Sequence, residues 1–182
     1  MECDIKRFRN GGDKWIACIG LYCGEPYEIF TGLSDRLGIP DYISKCSIIK
    51  NKVESQIFND ELGVYETKNV SRYDLVYHDK NGNKQIKEDI GNLFRTEFYS
   101  VSKMTSAILR HGMPIEYVVS TIKTLDFKNN TVNSWKNGVI RALKSYIKNG
   151  EVNGEVCPEC GGKIVRENGC KHCTQCAWSA CG

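Results

Sequence analysis

The chain has 182 residues, 41% of them hydrophobic and 26% charged, which suits a soluble globular fold with one real core and a small appendage. No apolar run approaches the roughly 20 residues that cross a bilayer, and none follows the charged start Met1-Glu2-Cys3-Asp4-Ile5-Lys6-Arg7. A membrane role is therefore not expected, and the cytoplasm, where clustered thiols stay reduced and bind metal or do redox work, is the expected compartment. The net charge of +3 is uneven: residues 151–182 set Lys163, Arg166 and Lys171 against Glu151, Glu155, Glu159 and Glu167, so the basic excess lies in residues 1–150.

In chain order, Trp15 to Tyr22 reads as an apolar strand, Cys23-Gly24-Glu25 as a turn and Pro26 to Phe30 as the returning strand. Residues 44–50 form a third candidate strand. Residues 51–71 suit short strands and loop equally. Arg72 to His78 and Lys84 to Ile90 flank Asp79-Lys80-Asn81-Gly82-Asn83, and Asn-Gly marks a hairpin. The period then changes to helical: residues 93–110, a second stretch after Pro114, and a third over 132–147 each carry one apolar face. Strands followed by about three helices predict an α+β domain over 1–150, with the helices on one face of a mainly antiparallel sheet. Residues 151–156 read as a polar linker, and 157–182 as a zinc-ribbon and redox tail.

The tail holds six of the ten cysteines. Zinc takes thiolates in a tetrahedron, and a two-residue gap lets both sulfurs of one turn face the same point. Cys157-Pro158-Glu159-Cys160-Gly161-Gly162 is one such knuckle. The second is ambiguous, because Cys170, Cys173 and Cys176 offer two overlapping C-x2-C pairs. The Ala177-Trp178 that follows favours Cys157, Cys160, Cys173 and Cys176 as ligands. The alternative uses Cys170 and Cys173 and leaves Cys176 and Cys181 free. His172 reads as a solvated loop residue. Either way two thiols are left over, and an exposed cysteine one residue from the end suits dithiol–disulfide exchange.

Outside the tail, Cys18, Cys23 and Cys46 read as small buried residues and Cys3 as an exposed, disordered thiol. His111 reads as a helix-end residue whose cation complements the dipole. Lys6-Arg7-Phe8-Arg9 and Lys14 form a basic, solvated stretch, and Asn10 to Asp13 a turn.

Several segments resemble one family. Cys157-Pro158-Glu159-Cys160-Gly161, Glu167-Asn168-Gly169-Cys170 and Cys176-Ala177-Trp178-Ser179-Ala180-Cys181 resemble the C-terminal tail of adenosylcobalamin-dependent (class II) ribonucleotide reductases. Upstream, Gly12-Asp13-Lys14-Trp15, Ile19-Gly20-Leu21-Tyr22, Gly24 to Phe30, Arg72 to Leu75, Leu109-Arg110-His111-Gly112 and Ile115 to Val119 are similar, in the same order, to the region after that family's barrel. The catalytic barrel, its radical cysteine, its active-site cysteine pair and its cobalamin-binding region are absent. The resemblance implies an accessory subunit, or a detached C-terminal part, of such an enzyme, with zinc as its own metal and adenosylcobalamin only through a partner chain. It implies that Cys181 carries reducing equivalents to the active-site disulfide of a partner barrel. Cys181 would pair with Cys170 if zinc takes Cys176, and with Cys176 if zinc takes Cys170. A thioredoxin-like protein would reduce the pair again. Two other readings compete: a zinc-ribbon module contacting nucleic acid or a replication or transcription protein, and a purely structural clamp. The acidic tail, made more negative by a four-thiolate zinc, disfavours nucleic acid.

Overall fold

The computed structural model describes residues 1–94, 98–127, 131–148, 150–167 and 170–181, with backbone alone for 151–155. Strands β1 (Glu2–Asn10), β2 (Asp13–Tyr22) and β3 (Glu25–Leu33) form a meander. The β2–β3 turn has both central residues left-handed, Cys23 at φ 52° and Gly24 at φ 80°, the pattern whose twist matches the flanking strands. Strand β4 (Lys45–Asn59) joins β1, pairs with β5 (Val64–His78), and β6 (Lys84–Lys87) closes the sheet in the order β3-β2-β1-β4-β5-β6.

Strand β2 is central and covered on both faces, which explains its unbroken apolar run. Trp15 to Ile19 are all buried. Trp15, Ala17 and Ile19 enter one core with Ile29, Trp135 and Leu143. Ile16 and Cys18 enter a second with Leu37, Ile48, Leu75 and Phe94. The first core is roofed by α3 (Tyr99–Arg110), α4 (Ile115–Thr124) and α5 (Trp135–Lys144). The second is closed by the single-turn helices α1 (Ser34–Leu37) and α2 (Ile90–Leu93) and by Ile39 and Ile43. The fold is thus α+β on a mainly antiparallel sheet, with the three long helices on one face as the periodicity predicts. The other face carries short elements that have too few turns to show a period.

Helix ends follow local chemistry. The Ser134 hydroxyl accepts from the Asn137 amide at 3.3 Å and caps α5. His111 is the C-cap of α3, and Gly112 follows at φ 75°. Gly138 sits mid-helix in α5, where glycine is disfavoured. A Cβ there would lie 2.0 Å from the Phe8 ring, so its absence lets α5 rest on β1.

Helix α3 runs along the open edge of β3. The Ser106 hydroxyl accepts from the Ile29 amide at 2.9 Å and lies 3.0 Å from the Ile29 carbonyl. Ser102 Oγ lies 2.9 Å from Thr31 Oγ1, which accepts from Trp135 Nε1 at 3.0 Å. Side-chain hydroxyls thus occupy an edge that would otherwise be free to pair with another chain.

Strands β4 and β5 outrun the sheet. Strand β1 pairs with β4 only over 45–47, and β6 with β5 only over 75–78. The remaining pairs, up to Asn59 opposite Val64, form a two-stranded ribbon. Its tip exposes Ile57, Phe58, Leu62, Val64 and Tyr65. Its base is fastened by Asp74, which is buried and accepts from Asn51 Nδ2 at 2.7 Å, Arg72 Nη2 at 2.9 Å and the Asp89 amide at 2.9 Å. Burial alone would push this carboxyl up, but those donors hold it below the usual carboxylate range.

Four sequence expectations change. Cys3 is buried in β1 at 2% exposure, directly opposite Cys46, because residues 2–10 form a strand whose charged positions hide its inward side. Cys23 is exposed at the turn apex, whereas Cys18 is fully buried and Cys46 partly so. The helix expected over 93–110 starts only at Tyr99, as α3; Leu93 is instead the last residue of α2, and residues 95–97 lie outside the described set. Residues 151–156, read as a polar linker, belong to strand β7 (Gly150–Val156), which pairs with β8 of the tail.

Candidate metal and thiol centre

The tail folds on a second sheet of four antiparallel strands, β7 (Gly150–Val156), β8 (Lys163–Glu167), β9 (Cys170–Cys173) and β10 (Ser179–Cys181), in the order β10-β9-β8-β7. Each knuckle is the turn of a hairpin. The first joins β7 to β8: the Cys157 amide donates to the Gly162 carbonyl at 2.9 Å, and the Gly161 amide to the Cys157 carbonyl at 2.8 Å. The second joins β9 to β10 and is closed by the Cys173 amide on the Trp178 carbonyl at 2.9 Å. Thr174 ties the two together, its amide donating to the Lys163 carbonyl at 2.9 Å. Gly162 packs under Gln175, where a Cβ would lie 2.7 Å from Gln175 Oε1.

This brings Cys157, Cys160, Cys173 and Cys176 together, with all four sulfurs within 4.8 Å of one another. Cys157 Sγ lies 3.7 Å from Cys176 Sγ, and Cys160 Sγ 3.4 Å from Cys173 Sγ. A tetrahedron of sulfurs about 2.3 Å from zinc has edges of about 3.8 Å, so the thiols already stand near the spacing the metal imposes. The set could hold a metal such as zinc. It is soft, four-fold and free of carboxylates, and so suits zinc better than calcium or magnesium.

The thiols also compete for ionisation. The Gln175 amide, 3.3 Å from Cys173 Sγ, is the main reason that this thiol is lowered to about 7. At Cys176 the Trp178 amide pulls down, but burial and the crowding of Cys160, Cys173 and Cys157 push the thiol up to about 12. At Cys160 the Gly162 amide pulls down most strongly, but Cys173, burial and Cys157 together push the other way, so that thiol is raised. A divalent cation removes this competition by taking all four as thiolates.

The two remaining tail cysteines are joined to each other. Cys170 and Cys181 stand directly opposite on β9 and β10 and form a disulfide. Cys181 is exposed and Cys170 partly so. His172 lies in β9 rather than in a loop, opposite Val165 and Ser179, and is not part of the four-thiol group. The roles of Gln175 and Thr174 were not legible in the sequence. Their only signal is their place inside a knuckle, where the Gln175 amide meets a sulfur and the Thr174 amide reaches the neighbouring strand. Asn168 and Gly169, part of the resembling tail, lie outside the described residues.

No described helix is long and apolar enough to cross a membrane. A family model, the NrdJ homologue C-terminal domain, matches residues 1–148, which is most of the chain and stops short of the cysteine tail. No curated protein and no solved structure matches the chain. The chain belongs to this NrdJ homologue C-terminal domain family, and is thereby related to the C-terminal region of class II ribonucleotide reductase.

Proposed function

From that membership as the premise, we propose that the chain is the reductant-relaying C-terminal part of a ribonucleotide reductase, working with a catalytic barrel chain in deoxyribonucleotide synthesis. The observation that carries this reading is the pairing of Cys170 on β9 with the exposed Cys181 on β10, beside a separate four-thiol group. Six cysteines thus divide into a metal set and a redox set with none shared. In the dithiol state, the Cys181 thiolate attacks the partner's active-site disulfide and forms a mixed disulfide. The Cys170 thiolate then attacks the Cys181 sulfur, breaking the mixed disulfide and releasing the partner's cysteine pair as a dithiol. Two electrons and two protons leave the chain, and the Cys170–Cys181 disulfide remains. A thioredoxin-like dithiol reduces it and becomes a disulfide in turn.

Zinc on Cys157, Cys160, Cys173 and Cys176 would supply fixed tetrahedral geometry and no redox chemistry. These residues then hold β9 and the start of the terminal segment in place while Cys181 moves. Adenosylcobalamin belongs to the partner in this reading, since no residue here is assigned to it. The test uses a class II reductase chain that lacks this part, with thioredoxin as donor. Cys181→Ser is expected to abolish multiple turnover and leave product of a single turnover intact. Undiminished multiple turnover in that variant would overturn the relay.

A further inference from the structure

Where α3 covers the edge of β3, the two elements and the base of the ribbon enclose a cavity of about 270 Å³. Its apolar walls are Phe30, Phe94, Tyr73 and Tyr99. On α3, Tyr99, Lys103, Ser106 and Arg110 recur at helical spacing and turn one stripe into the space. The Ser102 and Ser106 hydroxyls shape the floor but are engaged with Thr31 and Ile29.

Glu28 lines the same cavity. It is 6% exposed, and Arg110 Nη1 stands 3.3 Å from its Oε1. Its Oε2 is buried, and among the described residues no donor reaches it. Buried carboxylate oxygens are nearly always hydrogen-bonded, because leaving one bare is costly. Lys103 is exposed at the rim and has no ion pair among the described residues. One acid and two bases therefore face one small, aromatic-walled space. The sequence hid this arrangement, since its only trace in the strand 25–33 is Glu28, one of two glutamates there.

We propose that this cleft binds a small anion that also carries a hydroxyl or ammonium donor. The donor meets Glu28 Oε2, the anionic group meets Lys103 and Arg110, and the carbon skeleton lies between Phe30 and Tyr73. A simple cation is repelled by the two bases, and a simple anion leaves Glu28 bare. The volume is below the roughly 300–1,000 Å³ of drug-sized sites, which limits the ligand to small-metabolite size. No residue is shared with the tail, so the cleft and the thiol relay stand or fall separately.

Hydroxylated phosphates and amino acids both have this chemistry, and glycerol 3-phosphate and L-serine serve as their probes. Trp135 donates to Thr31 in the cleft floor, so its indole N–H signal is a local reporter. Titrating the full chain with each probe is expected to move that signal saturably for one of them. Affinity should fall at least about tenfold in Lys103→Ala and in Glu28→Gln. Lys103 is exposed, so its variant folds and decides the matter even if Glu28→Gln does not. No movement with either probe at about 10 mM, or wild-type affinity in Lys103→Ala, would overturn the site. Inorganic phosphate binding as tightly as the better probe would overturn the donor requirement.

Discussion

Replacing Cys176 by serine separates the two possible ligand sets. The Cys176 sulfur lies 3.7 Å from that of Cys157, against the edge of about 3.8 Å that a zinc tetrathiolate requires. A serine oxygen is harder, far less acidic and sits closer to its own Cβ, so it neither ionises nor reaches the shared centre. Outer-shell changes at metal sites cost about 10–100-fold in affinity, and loss of a direct donor should exceed that. Zinc affinity is therefore expected to fall at least about 100-fold in Cys176→Ser, or about 2.7 kcal/mol. Cys170→Ser removes a residue held in the disulfide outside the group and should change affinity by less than about threefold. Competition with a chromogenic chelator, on fully reduced protein, reads both. Equal losses in the two variants, or wild-type affinity in Cys176→Ser, would refute the assignment of Cys176 to the metal set.

Gly138→Ala should destabilise the fold by about 1–3 kcal/mol in urea unfolding despite alanine's better helix propensity, because its Cβ meets the Phe8 ring; a more stable variant would show that α5 can shift freely. Asp74 is held below the usual carboxylate range, so its contribution is complete above about pH 4 and is lost as pH falls further. Asp74→Asn should therefore lower stability at pH 7 and show a weaker loss between neutral and acid pH than wild type; parallel pH profiles of unfolding would contradict this. Thr31→Val leaves Trp135 Nε1 and Ser102 without their shared partner in a buried site and should cost about 1–3 kcal/mol, read as a drop in thermal midpoint.

The parts of the fold written in local chemistry could be read in advance. The Asn-Gly hairpin, the apolar faces of α3 to α5 and the apolar run of β2 each show in neighbours within a few residues. Strand β1 could not be read this way. Its Lys6, Arg7 and Arg9 dominate the pattern, while Cys3 and Ile5 gain their burial from β2 and β4, the latter 40 residues on. The ribbon was ambiguous for a related reason: with neither face on a core, alternation is weak, and only the pairing of two long strands defines it. In the tail, the C-x2-C spacing offers two overlapping ligand sets, and which of Cys170 and Cys176 stands beside the other three thiols depends on strand register, which spacing does not encode. Cys170 lies opposite Cys181 on the ladder, at the far end of β9 from the knuckle. Glu28 and Arg110 meet only because α3 lies along β3, which no spacing rule encodes.

The ribbon of β4 and β5 sets how the molecule opens in its native state. Its amides bond chiefly to one another, and its tip buries little, so strand separation there need not disturb either core. Amide exchange should then be graded along its length, fastest beside Asp60 and slowing toward Asp74, where three donors clamp the base. Beyond that clamp, Ile48 and Leu75 are sealed in the second core and exchange only with opening of the whole sheet. A single pair of strands thus passes from a rapidly breathing end to a rigid root, and the Asp74 clamp marks the border between them.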